Sequence, residues 1–225
     1  MISAYLRAVW TIARKDLLLE ARNKRSVNSA FVFAALVVVV LAFVFAESTE
    51  SHDVVARASL WIALVFAGTV GMTRAVAVEG ENGALSGLML APVDRSAIYL
   101  GKVLSTTLVV TAVGVATLAF VAVFLDYGFD LATVATLLFV LPLGALGFCA
   151  VGVLLSTLLL DSELRESLLP VLLIPLVIPV ILAGIQLSRT AAPVGETSSW
   201  LTILVTYDAL VVLTGWVTFD YVVEE

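Results

Sequence analysis

Six apolar runs of roughly 20 residues each take up most of this 225-residue chain. A helix needs about 20 such residues to cross the hydrocarbon core of a bilayer, because each residue adds only about 1.5 Å. Charged residues make up 13% of the chain, whereas soluble domains carry about a quarter. The sequence therefore predicts an all-α integral membrane protein with six transmembrane helices in a single membrane domain over 1–225.

The predicted membrane spans cover about 28–46, 59–78, 103–125, 131–160, 168–187 and 201–219. Residues 1–27 precede them and are patterned as an amphipathic helix, with Leu6, Trp10 and Ala13 on one side and a group of basic residues on another. The basic residues are Arg7, Arg14, Lys15, Arg22 and Arg25. This pattern is typical of an interfacial helix with its apolar face in lipid and its basic face towards headgroups or a partner.

Lysine and arginine are distributed unequally between the two sets of connections. One set, which includes residues 1–27 and the connection 79–102, holds ten of them, and the other holds only Arg57 and Arg189. Basic residues are enriched on the cytoplasmic side of membrane proteins. The count predicts that both termini and the 79–102 connection are cytoplasmic. We expect the membrane to be the plasma (inner) membrane of the cell.

The connection 79–102 is the longest polar interruption between two spans. Leu85, Leu88 and Met89 recur at helical spacing, which predicts a short amphipathic helix. Pro92 ends it, and Asp94 or Ser96 can cap a fresh helix through Ile98, Tyr99 and Leu100. A short apolar helix held between two spans is suited to docking against a soluble partner.

The chain shows no catalytic constellation of its own. It has no GxxxxGK[ST] phosphate loop, because Gly101-Lys102 is followed by Val103 and lacks the earlier glycine. One histidine, His52, and one cysteine, Cys149, exclude a histidine-cluster metal site or a disulfide framework built from this chain alone. We expect no enzyme activity, no metal site, no confidently bound cofactor and no nucleic acid partner.

Within the spans, Asp208 is costly in a membrane and is therefore a functional candidate, with a structural hydrogen bond to water or to Arg189 as the alternative. The fifth span contains Pro170, Pro175 and Pro179, which predicts a kinked or broken helix. Such a helix either moves and lines a cavity or is a static kink.

Small residues recur at helical spacing in the second span at Ala67, Gly71 and Ala75, and in the fourth at Gly144 and Gly147. They permit close helix packing, either within the chain or in a homodimer. The chain also has three lysines against nine arginines and a net charge of -6. That balance is typical of halophilic archaea, and chance in a small charged set is the alternative.

Four motifs, in order, resemble the CcmB family, the haem exporter protein B permeases of the cytochrome c maturation ABC transporter. The first is Lys-Asp-Leu-x-x-Glu-x-Arg at 15–22, and the second is Glu-x-Glu-x-Gly-Ala-Leu-x-x-Leu-x-Leu-Ala-Pro-Val-Asp-Arg at 79–95. The third is the proline-rich stretch 168–179, and the fourth is Phe-Asp-Tyr-Val-Val-Glu-Glu at 219–225. The resemblance covers the whole chain. Glu163 and Asp220 depart from the usual residues, which puts the details of docking in doubt.

The resemblance implies an ABC-2-type permease fold with an amino-terminal elbow helix, acting in haem export or haem delivery for c-type cytochromes. It also implies a separate ATPase subunit that hydrolyses ATP, a haem-handling membrane protein and a small tether subunit, with haem as a handled ligand. The ATPase-coupling residues matched to this family are Glu79, Glu81, Gly83, Leu85, Leu88, Leu90, Pro92, Asp94 and Arg95, with Arg165 and Glu166 as a second cytoplasmic contact.

Two other functions are compatible with the same sequence. A general ABC-2-type exporter of a lipid or other small molecule would have the same fold. A membrane scaffold that assembles haem-handling partners without passing a substrate would share the same connection. Neighbouring genes and c-type haem staining in a deletion strain distinguish the general exporter from haem delivery. A disulfide cross-link that locks the fifth span yet preserves function would support the scaffold.

Overall fold

The structure, a computed structural model, describes residues 2–22, 24–46, 52–82, 87, 93–125, 131–159, 162, 164–189 and 194–222. Seven long helices account for nearly all of these described residues. They are α1 (Ile2–Arg22), α2 (Lys24–Val44), α3 (His52–Asn82), α4 (Arg95–Phe124), α5 (Leu131–Leu158), α6 (Arg165–Leu187) and α7 (Val194–Val222).

Six of the described helices, α2 to α7, are long and apolar enough to cross a membrane. The prediction of an all-α membrane protein with six spans is therefore confirmed. The qualifying stretches are Val27–Val44, Asp53–Thr73, Arg95–Phe124, Thr133–Leu158, Ser167–Leu187 and Ser199–Tyr221. Helix α1 is not among them, and it packs against α4 and, more sparsely, α2.

Helix α5 lies at the centre of the bundle, in contact with α3, α4, α6 and α7. It carries no charged residue, and most of its spanning stretch is buried inside the bundle. Helices α2 and α7 are peripheral and expose most of their apolar side chains, as lipid-facing helices do.

Large side chains of one helix lie against glycines of the next. Trp61 of α3 is fully buried and packs against Gly144 of α5 and Gly184 of α6, where a Cβ on either glycine would collide with its ring. Likewise, a Cβ at Gly68 would lie 2.5 Å from Phe148. Glycine is required at these points because the aromatic rings occupy the space that a β-carbon would need. For the glycines of the fourth span, the contacts thus favour packing within the chain over a dimer seam.

The beginning of α3 differs from the prediction because a basic residue is inside the helix. We expected Arg57 in a connection preceding a span at 59, yet α3 begins at His52 and Arg57 is only 6% exposed. Its guanidinium donates to Asp53 Oδ2 at 2.6 Å, to the Asp53 carbonyl at 3.1 Å and to the Ile185 carbonyl at 3.2 Å. A buried arginine is tolerated when its donors are satisfied in this way. At the same end, Trp61 Nε1 donates to Ser188 Oγ at 2.9 Å, so both contacts join α3 to α6.

Helix α6 is continuous from Arg165 to Leu187 although it contains three prolines, so of the two predicted alternatives, a kinked or a broken helix, the broken one is wrong. Each proline removes the N–H that would bond the carbonyl four residues earlier. The carbonyls affected are those of Glu166, Val171 and Pro175. The hydroxyl of Tyr207 in α7 donates at 2.5 Å to the adjacent carbonyl, that of Leu176. Neighbouring helices commonly supply such donors around transmembrane prolines.

Replacing the central indole should weaken the bundle. We expect Trp61→Ala to lower the free energy of unfolding by roughly 3–5 kcal/mol, because it leaves a cavity between two glycines that cannot fill it. Trp61→Phe should cost less, roughly 1–3 kcal/mol, through a smaller cavity and the lost bond to Ser188. Unfolding in mixed micelles measures both variants. Phe43→Ala is the control, since Phe43 is 77% exposed, and an equal loss in that variant would contradict the packing argument.

Candidate functional site

The end of the 79–102 connection forms the first two turns of a transmembrane helix. Helix α4 begins at Arg95 and continues without interruption to Phe124. Asp94 occupies the N-cap position with an extended backbone, but its side chain makes no capping hydrogen bond. The predicted helix through Ile98, Tyr99 and Leu100 is thus not a separate element, because apolar residues on both sides of Lys102 allow one helix to run on. Motion of this connection would act directly on a span.

Tyr99 joins these first turns to two other helices. It is fully buried, its hydroxyl donates to the Ala150 carbonyl of α5 at 3.1 Å, and its ring centroid lies 5.5 Å from that of Phe219 in α7. Gly215 of α7 lies directly against the phenol, where a Cβ would collide with the hydroxyl oxygen. We call the cluster the basal clamp. Its buried members are Ile12, Ile98, Tyr99, Val103, Ala150, Val153 and Phe219.

Helix α1 packs on the basal clamp through one narrow face. Ile12 and Ala13 are buried, and a Cβ at Gly101 of α4 would lie 2.8 Å from Ile12 Cβ and 3.0 Å from the Val9 carbonyl. Leu6 and Trp10, predicted to share one apolar face with Ala13, remain more than half exposed. The helix therefore has an inner apolar face against α4 and a second apolar surface facing outwards.

Polar contacts tie α1, α4 and α7 together at the rim of the basal clamp. Trp216 Nε1 donates to the Tyr5 hydroxyl at 2.9 Å, and that hydroxyl lies 3.1 Å from Ser96 Oγ. Arg95 donates to the Asp220 carbonyl at 3.3 Å. The connection, the amino-terminal helix and the carboxy-terminal motif therefore meet at one end of the bundle.

The other predicted coupling residues are placed only in part. Glu79 and Glu81 lie in the last turns of α3, with side chains outside the described part of the structure. Gly83, Leu85, Leu88, Leu90 and Pro92 lie outside the described residues. Arg165 and Glu166 are the first two residues of α6, and their side chains are likewise not described.

Asp208 lies inside the bundle, about three turns along α7 from Phe219. It is 4% exposed, and neither carboxyl oxygen has a hydrogen-bond partner. The alternative in which Arg189 satisfies it is therefore wrong. Among the prolines, Pro170 and Pro179 are partly buried in α6, and Pro175 is exposed on its surface.

The described residues hold no group of three or more metal-ligating side chains. What the basal clamp offers is mechanical, because buried aromatic and aliphatic side chains join the start of α4 to α1, α5 and α7. Close-packed contacts of this kind transmit displacement with little compression.

A protein-family model described as CcmB protein matches residues 7–221 of the chain. The chain belongs to the CcmB family. A search of curated proteins gives no match. Membership makes the chain a haem-exporter ABC permease component of c-type cytochrome biogenesis, a multi-pass membrane subunit rather than a catalytic enzyme. It also implies membership of the Ccm ABC transporter complex, which has an ATPase partner.

Sequence reasoning missed most of the basal clamp of this CcmB-family chain. The only local indication was that Tyr5, Trp216 and Phe219 are aromatic residues close to the ends of hydrophobic segments, which is usual at membrane interfaces. Nothing in the sequence indicated that Gly101 packs against Ile12 or that Gly215 packs against Tyr99. Which aromatic ring meets which glycine depends on helix rotation, and hydropathy does not report it.

Removing the Tyr5 hydroxyl should loosen α1 alone. Tyr5→Phe keeps the ring but loses contacts to Ser96 and Trp216, so we expect amide hydrogen exchange in α1 to rise roughly fivefold to thirtyfold, as for a loss of one to two kcal/mol. Exchange in the spans should stay unchanged. Thr11→Val is the control, because Thr11 bonds only the Arg7 carbonyl within α1. Equal exchange in both variants would count against a clamp held by Tyr5.

Proposed function

We propose that the chain couples ATP hydrolysis in a separate ATPase subunit to haem delivery for c-type cytochromes, through the connection 79–102. The observation that carries the proposal is the match to the CcmB family over 7–221. The coupling residues remain those matched from the sequence, Glu79, Glu81, Gly83, Leu85, Leu88, Leu90, Pro92, Asp94 and Arg95. They dock against the ATPase and take no part in catalysis, and ATP is bound by that partner.

The basal clamp gives this coupling a physical route. The connection passes without a break into α4, and Tyr99 links α4 to both α5 and α7. A displacement of the residues before Arg95 therefore acts on α4 and, through the first two turns of α4, on α5 and α7. The Tyr207 contact to Leu176 then carries the motion of α7 to α6. Pro170, Pro175 and Pro179 give α6 points where it bends.

The charge count supports placing the basal clamp on the cytoplasmic side of the plasma membrane, with both termini inside. Arg165 and Glu166 at the start of α6 form a second contact with the ATPase. A haem-handling membrane protein and a small tether subunit complete the complex, in which haem is the handled ligand. Because ABC ATPases act as pairs, an ABC-2-type homodimer of this chain, surrounded by lipid, is the assembly we propose.

Charge placed in the connection should uncouple the complex. We expect Leu85→Glu or Leu88→Glu to abolish co-purification of the ATPase encoded by a neighbouring gene and to reduce c-type cytochrome maturation at least tenfold. The reason is that burying a carboxylate in an apolar docking surface without a partner is costly. Leu85→Met and Leu88→Met are the matched controls, and both should retain activity. Normal co-purification by both glutamate variants would refute the docking assignment.

Haem staining separates this function from export of another molecule. In a deletion strain we expect c-type haem staining to disappear and to return with the wild-type chain. Unchanged staining would instead favour a general ABC-2-type exporter of a lipid or other small molecule. A scaffold role predicts that cross-linking α6 to α3 preserves maturation, whereas the coupling proposal predicts its loss.

A further inference from the structure

Among the aspartate, glutamate, lysine and arginine side chains that the structure describes, that of Asp208 is the one buried without a hydrogen-bond partner. Asp208 is 4% exposed, and both Oδ1 and Oδ2 lack a hydrogen bond. The other described aspartates differ, because Asp16 and Asp53 are ion-paired and Asp94 and Asp220 are exposed. A charged carboxylate without a partner is far more costly in an apolar interior than the neutral acid.

The site is closed by backbone on one side. A Cβ at Gly147 of α5 would collide with Asp208 Oδ1 and would lie 3.3 Å from both Asp208 Cγ and Tyr207 Cδ1. The Tyr207 hydroxyl is already used, since it donates to the Leu176 carbonyl. The carboxyl therefore sits on the bare backbone of α5, in a space that admits no larger side chain.

Among the described side chains of the packed helices, no cation is hydrogen-bonded to this carboxyl. Helix α5 has Cys149 as its only ionisable side chain, and the spanning part of α6, 167–187, has none. On α4, Arg95 donates to the Asp220 carbonyl and Lys102 lies one turn from Tyr99, at the basal clamp.

The remaining ionisable groups of α4 and α7 either bond elsewhere or lie near the ends of these helices. Tyr99 donates to the Ala150 carbonyl, and Tyr221 is exposed near the end of α7. Asp208 and Phe219 are eleven residues apart on α7, which is roughly 16 Å along the axis. Arg165 and Glu166 begin α6, and Glu196 is in the first turn of α7.

We propose that Asp208 is an intramembrane proton-binding site, loaded while α7 is packed against α5 and emptied when the two helices separate. In the packed state the carboxyl is the neutral acid. Separation admits water, the O–H bond breaks, its electron pair stays on the carboxylate and the proton passes to water. The ligand is thus a single proton, exchanged in step with the movement of α7.

Infrared spectroscopy of the full chain in nanodiscs tests the protonation directly. With isotope-labelled aspartate, we expect one protonated-carboxyl C=O band at neutral pH, which shifts in deuterated water and is missing in Asp208→Asn. Asp220→Asn is the control, because Asp220 is exposed on the same helix, and it should keep the band. If wild-type protein shows only ionised aspartate at neutral pH, the proposal is overturned, and this needs no variant.

Unfolding equilibria supply a second readout. An aspartate in an unfolded chain releases its proton at about pH 4, whereas Asp208 in the packed state retains it. Unfolding therefore releases one proton, and raising the pH favours the unfolded state. We expect the unfolding constant of wild type, relative to Asp208→Asn, to rise about tenfold per pH unit between about pH 5 and 7. A ratio independent of pH would overturn the proposal. Neither readout uses haem or the ATPase, so failure here leaves the proposed function intact.

Discussion

The bundle depends on large side chains that lie directly against glycines. Inside a bilayer, helices gain little from excluding water from one another, so close packing and hydrogen bonds must hold them together. Trp61 on Gly144 and Gly184 fixes α3, α5 and α6 at one end, and Tyr99 on Gly215 fixes α4 and α7 at the other. These contacts close-pack the two ends of the membrane domain. Between the two ends, few of the described side chains form hydrogen bonds from one helix to another.

The two ends differ in what they connect. The end around Trp61 and Arg57 joins α3 to α6 through side-chain donors to Ser188 and to the Ile185 carbonyl. The basal clamp instead joins the start of α4 to three helices. Helix α6, by contrast, has side-chain hydrogen bonds to α3 near its end, at Ile185 and Ser188, and to α7 at Leu176.

Hydropathy predicted the number and order of the spans because burial in lipid acts on whole segments of about 20 residues. The predicted spans begin at 59 and 103, whereas the helices α3 and α4 begin at His52 and Arg95, because a window that penalises charge starts a span only after Arg57 or Lys102. The structure buries Arg57 by satisfying its donors and buries nearly all of Lys102 beside the basal clamp. Pairings such as Tyr5 with Trp216 could not be predicted from the sequence, because they depend on how three helices are rotated about their axes.

The prolines of α6 also bear on how this helix is held in the membrane. Proline has no N–H, so the carbonyls four residues before Pro170, Pro175 and Pro179 lack their helical donors. Alone in lipid, such a helix would expose acceptors that hydrocarbon cannot satisfy. Those acceptors are the carbonyls of Glu166, Val171 and Pro175, and the Tyr207 hydroxyl reaches only the adjacent Leu176 carbonyl. Helix α6 therefore depends on its packing in the bundle more than an apolar span without prolines would.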